Sequence, residues 1–139
     1  TPQDIHVMHQ RQRAILEREI LFWHKRDIPI CVITHHLPSF ELIAECYSKY
    51  PINFCFASVC DALIASPVKA WIYGHSHACG KRVINGVTCA INARGYPHEN
   101  IHGFGTKEFI EIVDVNKSSL RQNAEMPNPP EGSDQSDST

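Results

Sequence analysis

Lys69-Ala-Trp-Ile-Tyr-Gly-His-Ser-His77 is the stretch that decides how this chain folds. Ala70 to Tyr73 form a short apolar run with strand character. Gly74 ends it, and His75 and His77 follow at i, i+2 spacing. A glycine at a strand end predicts a sharp turn free of Cβ clash. That turn carries both imidazoles just past the strand's carboxyl end, where α/β sheets hold their ligands. The same layout occurs earlier. Ile30 to Thr34 is apolar and β-branched, and His35 and His36 follow it, before Pro38. A continuous apolar run of this kind predicts a strand buried on both faces of a parallel sheet. Two strands that each deliver histidine at their carboxyl ends point to a metal site, because neutral imidazole is the commonest metal ligand.

Working outward, the spacing of Ile15, Glu19 and Phe22, and of Leu16, Ile20 and Trp23, predicts a helix over Gln10 to Lys25. Thr1 to Asp4 reads as a polar entry, and Asp27 and Pro29 end the helix. Ser39 can cap a second helix over Phe40 to Ser48, closed by Pro51. Asn53 to Ala57 reads as a short extended stretch. Ser58, with Asp61 three residues later, opens a brief helix that ends at Pro67. Beyond His77 the period changes. Lys81 to Ile84 and Val87 to Ile91 flank Asn85-Gly86, the sequence of a type I′ hairpin turn. Asn92 to Pro97 is a loop, and Lys107 to Val115 reads as a last strand. From about Lys117 the chain turns polar and acidic, with several prolines, and reads as a disordered tail. The expectation is one α/β domain over residues 1–116, its mixed sheet ending in an antiparallel hairpin, and an acidic tail over 117–139.

The chain has 139 residues and a formal net charge of −2. The near-zero charge gives no electrostatic case for nucleic acid. No apolar run approaches the ~18–20 residues that span a membrane, and no secretory signal opens the sequence. The six cysteines form no C-x-x-C pair. Most fall within apolar patterns, so reduced thiols packed in the core, and a cytoplasmic setting, are expected.

Three segments in order carry a family resemblance: Val32-Ile-Thr-His-His-Leu-Pro-Ser39, Trp71-Ile-Tyr-Gly-His-Ser-His77 and Asn92-Ala-Arg-Gly-Tyr-Pro97. Together they resemble the last part of a calcineurin-like metallophosphoesterase, over about Gln10 to Val115. The resemblance implies the C-terminal half of an αββα sandwich. It implies hydrolysis of phosphoric esters at two divalent metal ions (Mn, Fe or Zn), with attack on phosphorus by a metal-activated hydroxide. His35 would ligate one metal together with His75, and His77 would ligate the other; His36 is the alternative to His35. Arg94 would lie on the phosphate side of the site or order its loop. Ala93 stands where the family usually has proline. The substrate would be a phosphorylated small molecule or phosphoprotein.

The family's earlier motifs, Asp-x-His, Gly-Asp-x-x-Asp and Gly-Asn-His-Asp/Glu, are not found. Asp4-Ile5-His6 matches the first only in letters, because no strand precedes it. The reading is therefore a fragment, inactive alone, whose exposed sheet can self-associate. A catalytically dead binding or regulatory module of the same fold is the alternative. A remoter one takes Ser76 as the nucleophile of a serine hydrolase, on the pattern Gly74-x-Ser76-x-Ala78. The helix, acid and histidine that should follow such an elbow do not. A structural zinc site at His75, His77 and Cys79 has the wrong spacing. His6 and His9 read as a solvated helix face, and His98 and His102 as loop polarity.

Overall fold

The computed structural model describes residues 1–26 and 28–106, together with residues 108, 110 and 112. Most of the strand expected over Lys107 to Val115, and all of the acidic tail, lie outside the described residues.

Helix α1 spans Pro2–His24, eight residues longer at its start than the apolar spacing alone indicates. The reason is local. Thr1 is the N-cap, its side chain accepts from the Asp4 N–H, and the Asp4 side chain reaches back to the cap backbone. This capping box satisfies two of the donors that a helix start leaves free. Pro2 sits where its missing N–H costs nothing. Asp4 is thereby engaged, with its carboxylate 2.6 Å from the Thr1 hydroxyl. Arg26 closes the other end, with its guanidinium over the Phe22 ring and one nitrogen on the Phe22 carbonyl.

Four strands follow: β1 (Ile30–Ile33), β2 (Val68–Ile72), β3 (Cys79–Ile84) and β4 (Val87–Asn92). They form one sheet in the order β1-β2-β4-β3. The pairs β1–β2 and β2–β4 are parallel, and β3–β4 is antiparallel. The fold is thus α/β with a mixed sheet that includes an antiparallel pair. The hairpin turns at Asn85 and Gly86, both at positive φ (48° and 79°), as a type I′ turn requires.

Register separates the two faces of the sheet. Val32, Trp71 and Cys89 lie side by side across β1, β2 and β4. All three are buried, with Ile20 of α1 and Leu37, Leu42 and Ile64 of the connecting segment packed in the same core. The next row, Ile33, Ile72, Ala90 and Lys81, points to the opposite face. There Ile33 is 76% exposed. The expectation that Ile30 to Thr34 is buried on both faces is corrected: only Val32 is buried. Among the described residues β1 is an edge strand, and α1 covers one side of it. The second face borders a cavity of about 600 Å³ lined by Cys31, Ala70, Ile72 and Ala90, and by Ile110 and Ile112.

Between β1 and β2 the expected helices are replaced by single 3₁₀ turns at Phe40–Leu42, Glu45–Tyr47, Asn53–Cys55 and Asp61–Leu63. Ile43 and Ala44 take extended backbone (ψ 123° and 145°), which interrupts the second helix after one turn. Segments this short do not offset the cost of helix nucleation. Ser39 does cap the first turn, accepting the Glu41 N–H, and its hydroxyl donates to Asp61 at 2.6 Å. Cysteine placement also departs from expectation. Cys60 and Cys89 are buried, Cys31, Cys46 and Cys55 are exposed, Cys79 lies between, and all six are free thiols. Among the described residues, no helix is long and apolar enough to cross a membrane.

Candidate metal centre

Parallel pairing of β1 and β2 brings their carboxyl ends to one rim of the sheet. The ladder continues past both strands: Thr34 N–H donates to Ile72 O at 2.9 Å, and Gly74 N–H donates to His35 O at 3.0 Å. These bonds fix the backbones of the two histidine turns against each other. A third contact runs beneath. The Trp71 indole N–H donates to the Thr34 hydroxyl at 2.9 Å, and that hydroxyl donates to His36 O at 2.8 Å.

At this rim His35 Nε2 and His75 Nδ1 stand 3.2 Å apart. His36 lies against the same group, its ring tilted at 45° to that of His75 with centroids 4.5 Å apart. The Phe56 ring closes the other side of His75 at 4.7 Å. Burial, and then the neighbouring imidazoles His36, His35 and His77, hold His75 below the ordinary histidine pKa. Burial, then His35 and His9, do the same to His36. Both rings are therefore kept neutral, the state in which imidazole ligates metal.

The turn itself differs from its sequence reading. Gly74 does not occupy a left-handed conformation, and a Cβ there would meet His35 O at 3.5 Å, an ordinary contact. The left-handed residue is His75, at φ 67°. A β-carbon in that region costs roughly 1–2 kcal/mol. Such strain persists only where the surroundings enforce it. Here Ser76 N–H donates back to Gly74 O at 2.8 Å, and Ala78 N–H donates to Ser76 O at 2.9 Å.

His77 is held apart from that pair. Its Nδ1 lies 2.7 Å from Glu99 Oε2 and 2.9 Å from Glu99 Oε1. The His77 hydrogen bond, followed by the Tyr96 N–H, keeps the Glu99 carboxyl below its ordinary range, so it is an ionised acceptor. Arg94, in the same loop, is exposed and makes no hydrogen bond or ion pair among the described residues. The loop's side-chain hydrogen bond to the histidine turn comes from Glu99, which the sequence does not mark as a site residue. Its one signal was position, two residues beyond the Asn92 to Pro97 loop.

His9 is a second correction. It is half-buried, not on a solvated face, and lines a cavity of about 320 Å³ with Gln12, Arg13, His35 and His36. The longer helix α1 is what brings it there. Ser76 is buried, and its hydroxyl has no hydrogen-bond partner among the described residues. A nucleophilic serine needs a base within hydrogen-bond reach, and among the described residues Ser76 has none.

Whether these residues suit a metal is decided by the donor set. Two nitrogens that each lie ~2.0–2.1 Å from one ion at a near-tetrahedral angle are about 3.2–3.4 Å apart. The His35–His75 pair matches that spacing and fits as one edge of a coordination sphere. Among the described residues no group of three or more His, Cys, Asp or Glu side chains could hold a metal ion. The pair therefore fits as part of a site.

No family model matches the chain, and no solved structure matches it. A protein of Acanthamoeba polyphaga mimivirus, "Uncharacterized protein L509", is 32% identical over 91 residues. The match covers 60% of this chain and 32% of the viral protein, so the chain spans about a third of that relative's length.

Proposed function

We propose that this chain supplies part of the metal centre of a calcineurin-like metallophosphoesterase, acting on a phosphorylated small molecule or phosphoprotein. The observation that supports this most is the 3.2 Å approach of His35 Nε2 and His75 Nδ1 at the carboxyl ends of two adjacent parallel strands. His35, rather than His36, is the ligand in this reading, since it is a His35 nitrogen that stands 3.2 Å from His75 Nδ1. His77 would serve a second metal through its remaining nitrogen. Water, substrate oxygens and ligands from outside these 139 residues would complete both spheres. Divalent metal in such a centre supplies Lewis acidity and lowers the pKa of bound water to ~7. The chain's own contribution is to hold His75 neutral, fix the separation of His35 and His75 through the backbone ladder, and keep His77 on the same rim. Histidine with oxygen ligands leaves Mn, Fe and Zn all admissible.

The test is calorimetric titration of the 139-residue chain with Zn²⁺ and Mn²⁺. Saturable binding that His35→Ala and His75→Ala each remove is the expected result. Binding unchanged in both variants overturns the assignment. A polypeptide that contains these residues and turns over p-nitrophenyl phosphate in Mn²⁺ should lose that activity with His75→Ala.

A further inference from the structure

We propose that Glu99 is a positioning residue for His77: its carboxylate accepts a hydrogen bond from Nδ1–H and leaves Nε2 with its lone pair free at the rim. Both carboxylate oxygens lie within hydrogen-bond distance of Nδ1, at 2.7 and 2.9 Å. A carboxylate can only accept, so Nδ1 carries the proton. Oε2, the carboxylate oxygen nearer to His77, also accepts from the Tyr96 backbone N–H. The Tyr96 ring stands edge-on to His77 with centroids 4.8 Å apart, which limits rotation of the imidazole.

The loop is shaped around this contact. Gly95 is left-handed at φ 67°, and a Cβ there would fall 2.6 Å from Glu99 Oε2 and 2.6 Å from Ile101 Cγ1. Glycine therefore leaves the space that Glu99 and Ile101 fill. The loop's base is tied down as well. The Ala93 N–H donates to Ala78 O at 3.2 Å, next to the histidine turn. Asn92 exchanges two hydrogen bonds with the Gly105 backbone, at 2.6 and 3.2 Å. A carboxylate behind an imidazole fixes its tautomer and raises the basicity of the outer nitrogen. That Nε2 then serves a metal rests on the function proposed above; that Glu99 sets the tautomer does not.

The experiment is a long-range ¹H–¹⁵N correlation spectrum of the metal-free 139-residue chain, with histidine labelled, at neutral pH. His77 should appear as the Nδ1–H tautomer. Glu99→Ala should move it toward the Nε2–H form that free imidazole prefers. Glu99→Gln keeps an acceptor oxygen at the same place and should retain the Nδ1–H form. Gly95→Ala should shift the tautomer in the direction of Glu99→Ala. An Nε2–H tautomer in the unaltered chain, or no change in Glu99→Ala, overturns the proposal. Should Glu99→Ala fail to fold, the unaltered chain and Glu99→Gln still decide it. A parallel Zn²⁺ titration separates the two readings. Glu99→Ala should weaken binding by about 10- to 100-fold. If Zn²⁺ leaves the His77 signals unmoved while the tautomer results hold, the metal reading fails and the Glu99 assignment stands.

Discussion

The two histidines of Gly74-His75-Ser76-His77 sit two residues apart and are held by opposite means. His75 faces another imidazole, on a left-handed backbone, inside a group of rings that keeps it neutral. His77 faces a carboxylate, in a loop whose glycine leaves room for that carboxylate. An imidazole pair is satisfied by one N–H···N hydrogen bond, which a cation bound by both nitrogens would replace. An imidazole–carboxylate pair is complete on its inner side and directs its function outward. The difference teaches that i, i+2 spacing delivers two histidines to one rim while the environment gives each a separate task.

The largest effect should come from removing the imidazole pair. In the chain titrated with Zn²⁺, His35→Ala or His75→Ala should weaken binding by about 100-fold or more. This exceeds the 10- to 100-fold typical of an outer-shell partner. Equal losses from either variant would confirm that the two rings act together, and a loss from only one would divide them. Next in size is Gly95→Ala, which places a side chain at φ 67° against Glu99 and Ile101. Destabilisation of about 1–2 kcal/mol is expected from the conformation alone, read as a lower urea midpoint. The same backbone argument has the opposite sign at His75. His75→Gly should be more stable than His75→Ala by about 1 kcal/mol, since only glycine occupies that region freely. If the two are equally stable, the turn relaxes when the imidazole is gone, and the ring contacts impose the strain.

The smallest perturbation is chemical. Burial pushes the Cys89 thiol up to about 11 and raises that of Cys60. Iodoacetamide should therefore label the exposed Cys46 and Cys55 rapidly in the native chain, Cys31 more slowly because burial raises its thiol too, and Cys60 and Cys89 only after unfolding, as followed by mass spectrometry. Protection of Cys31 would show that the second face of the sheet is covered in solution.

The rim was legible in the sequence because strand ends announce themselves. Apolar runs that stop at His35 and Gly74 placed two histidine turns where parallel pairing brings them together, and Asn85-Gly86 gave the hairpin. Three things were not legible. The start of α1 depends on a reciprocal Thr1–Asp4 contact, and the apolar periodicity begins only later, so His9 was read as solvated. The segment Phe40 to Ser48 has a cap and apolar residues, yet its length is too small for propensity to overcome extended backbone at Ile43 and Ala44. Glu99 was obscure because a carboxylate meeting an imidazole 22 residues earlier leaves no local pattern. Loop glycines record such contacts only as a conformational allowance, and Gly95 reads in sequence like any turn residue.

The hydrogen-bonded Trp71 gives the rim an optical reporter. Trp71 is 1% exposed and its indole is tied through Thr34 to the backbone of His36, whereas Trp23, the chain's other tryptophan, is 42% exposed on α1. The two should therefore emit at different wavelengths: Trp71 blue-shifted and shielded from acrylamide, Trp23 red-shifted and quenched. With Trp23→Phe in place, the remaining fluorescence comes from directly beneath the histidines. Any ion that draws His35 and His75 together should then be visible as a change in colour or intensity, without a substrate.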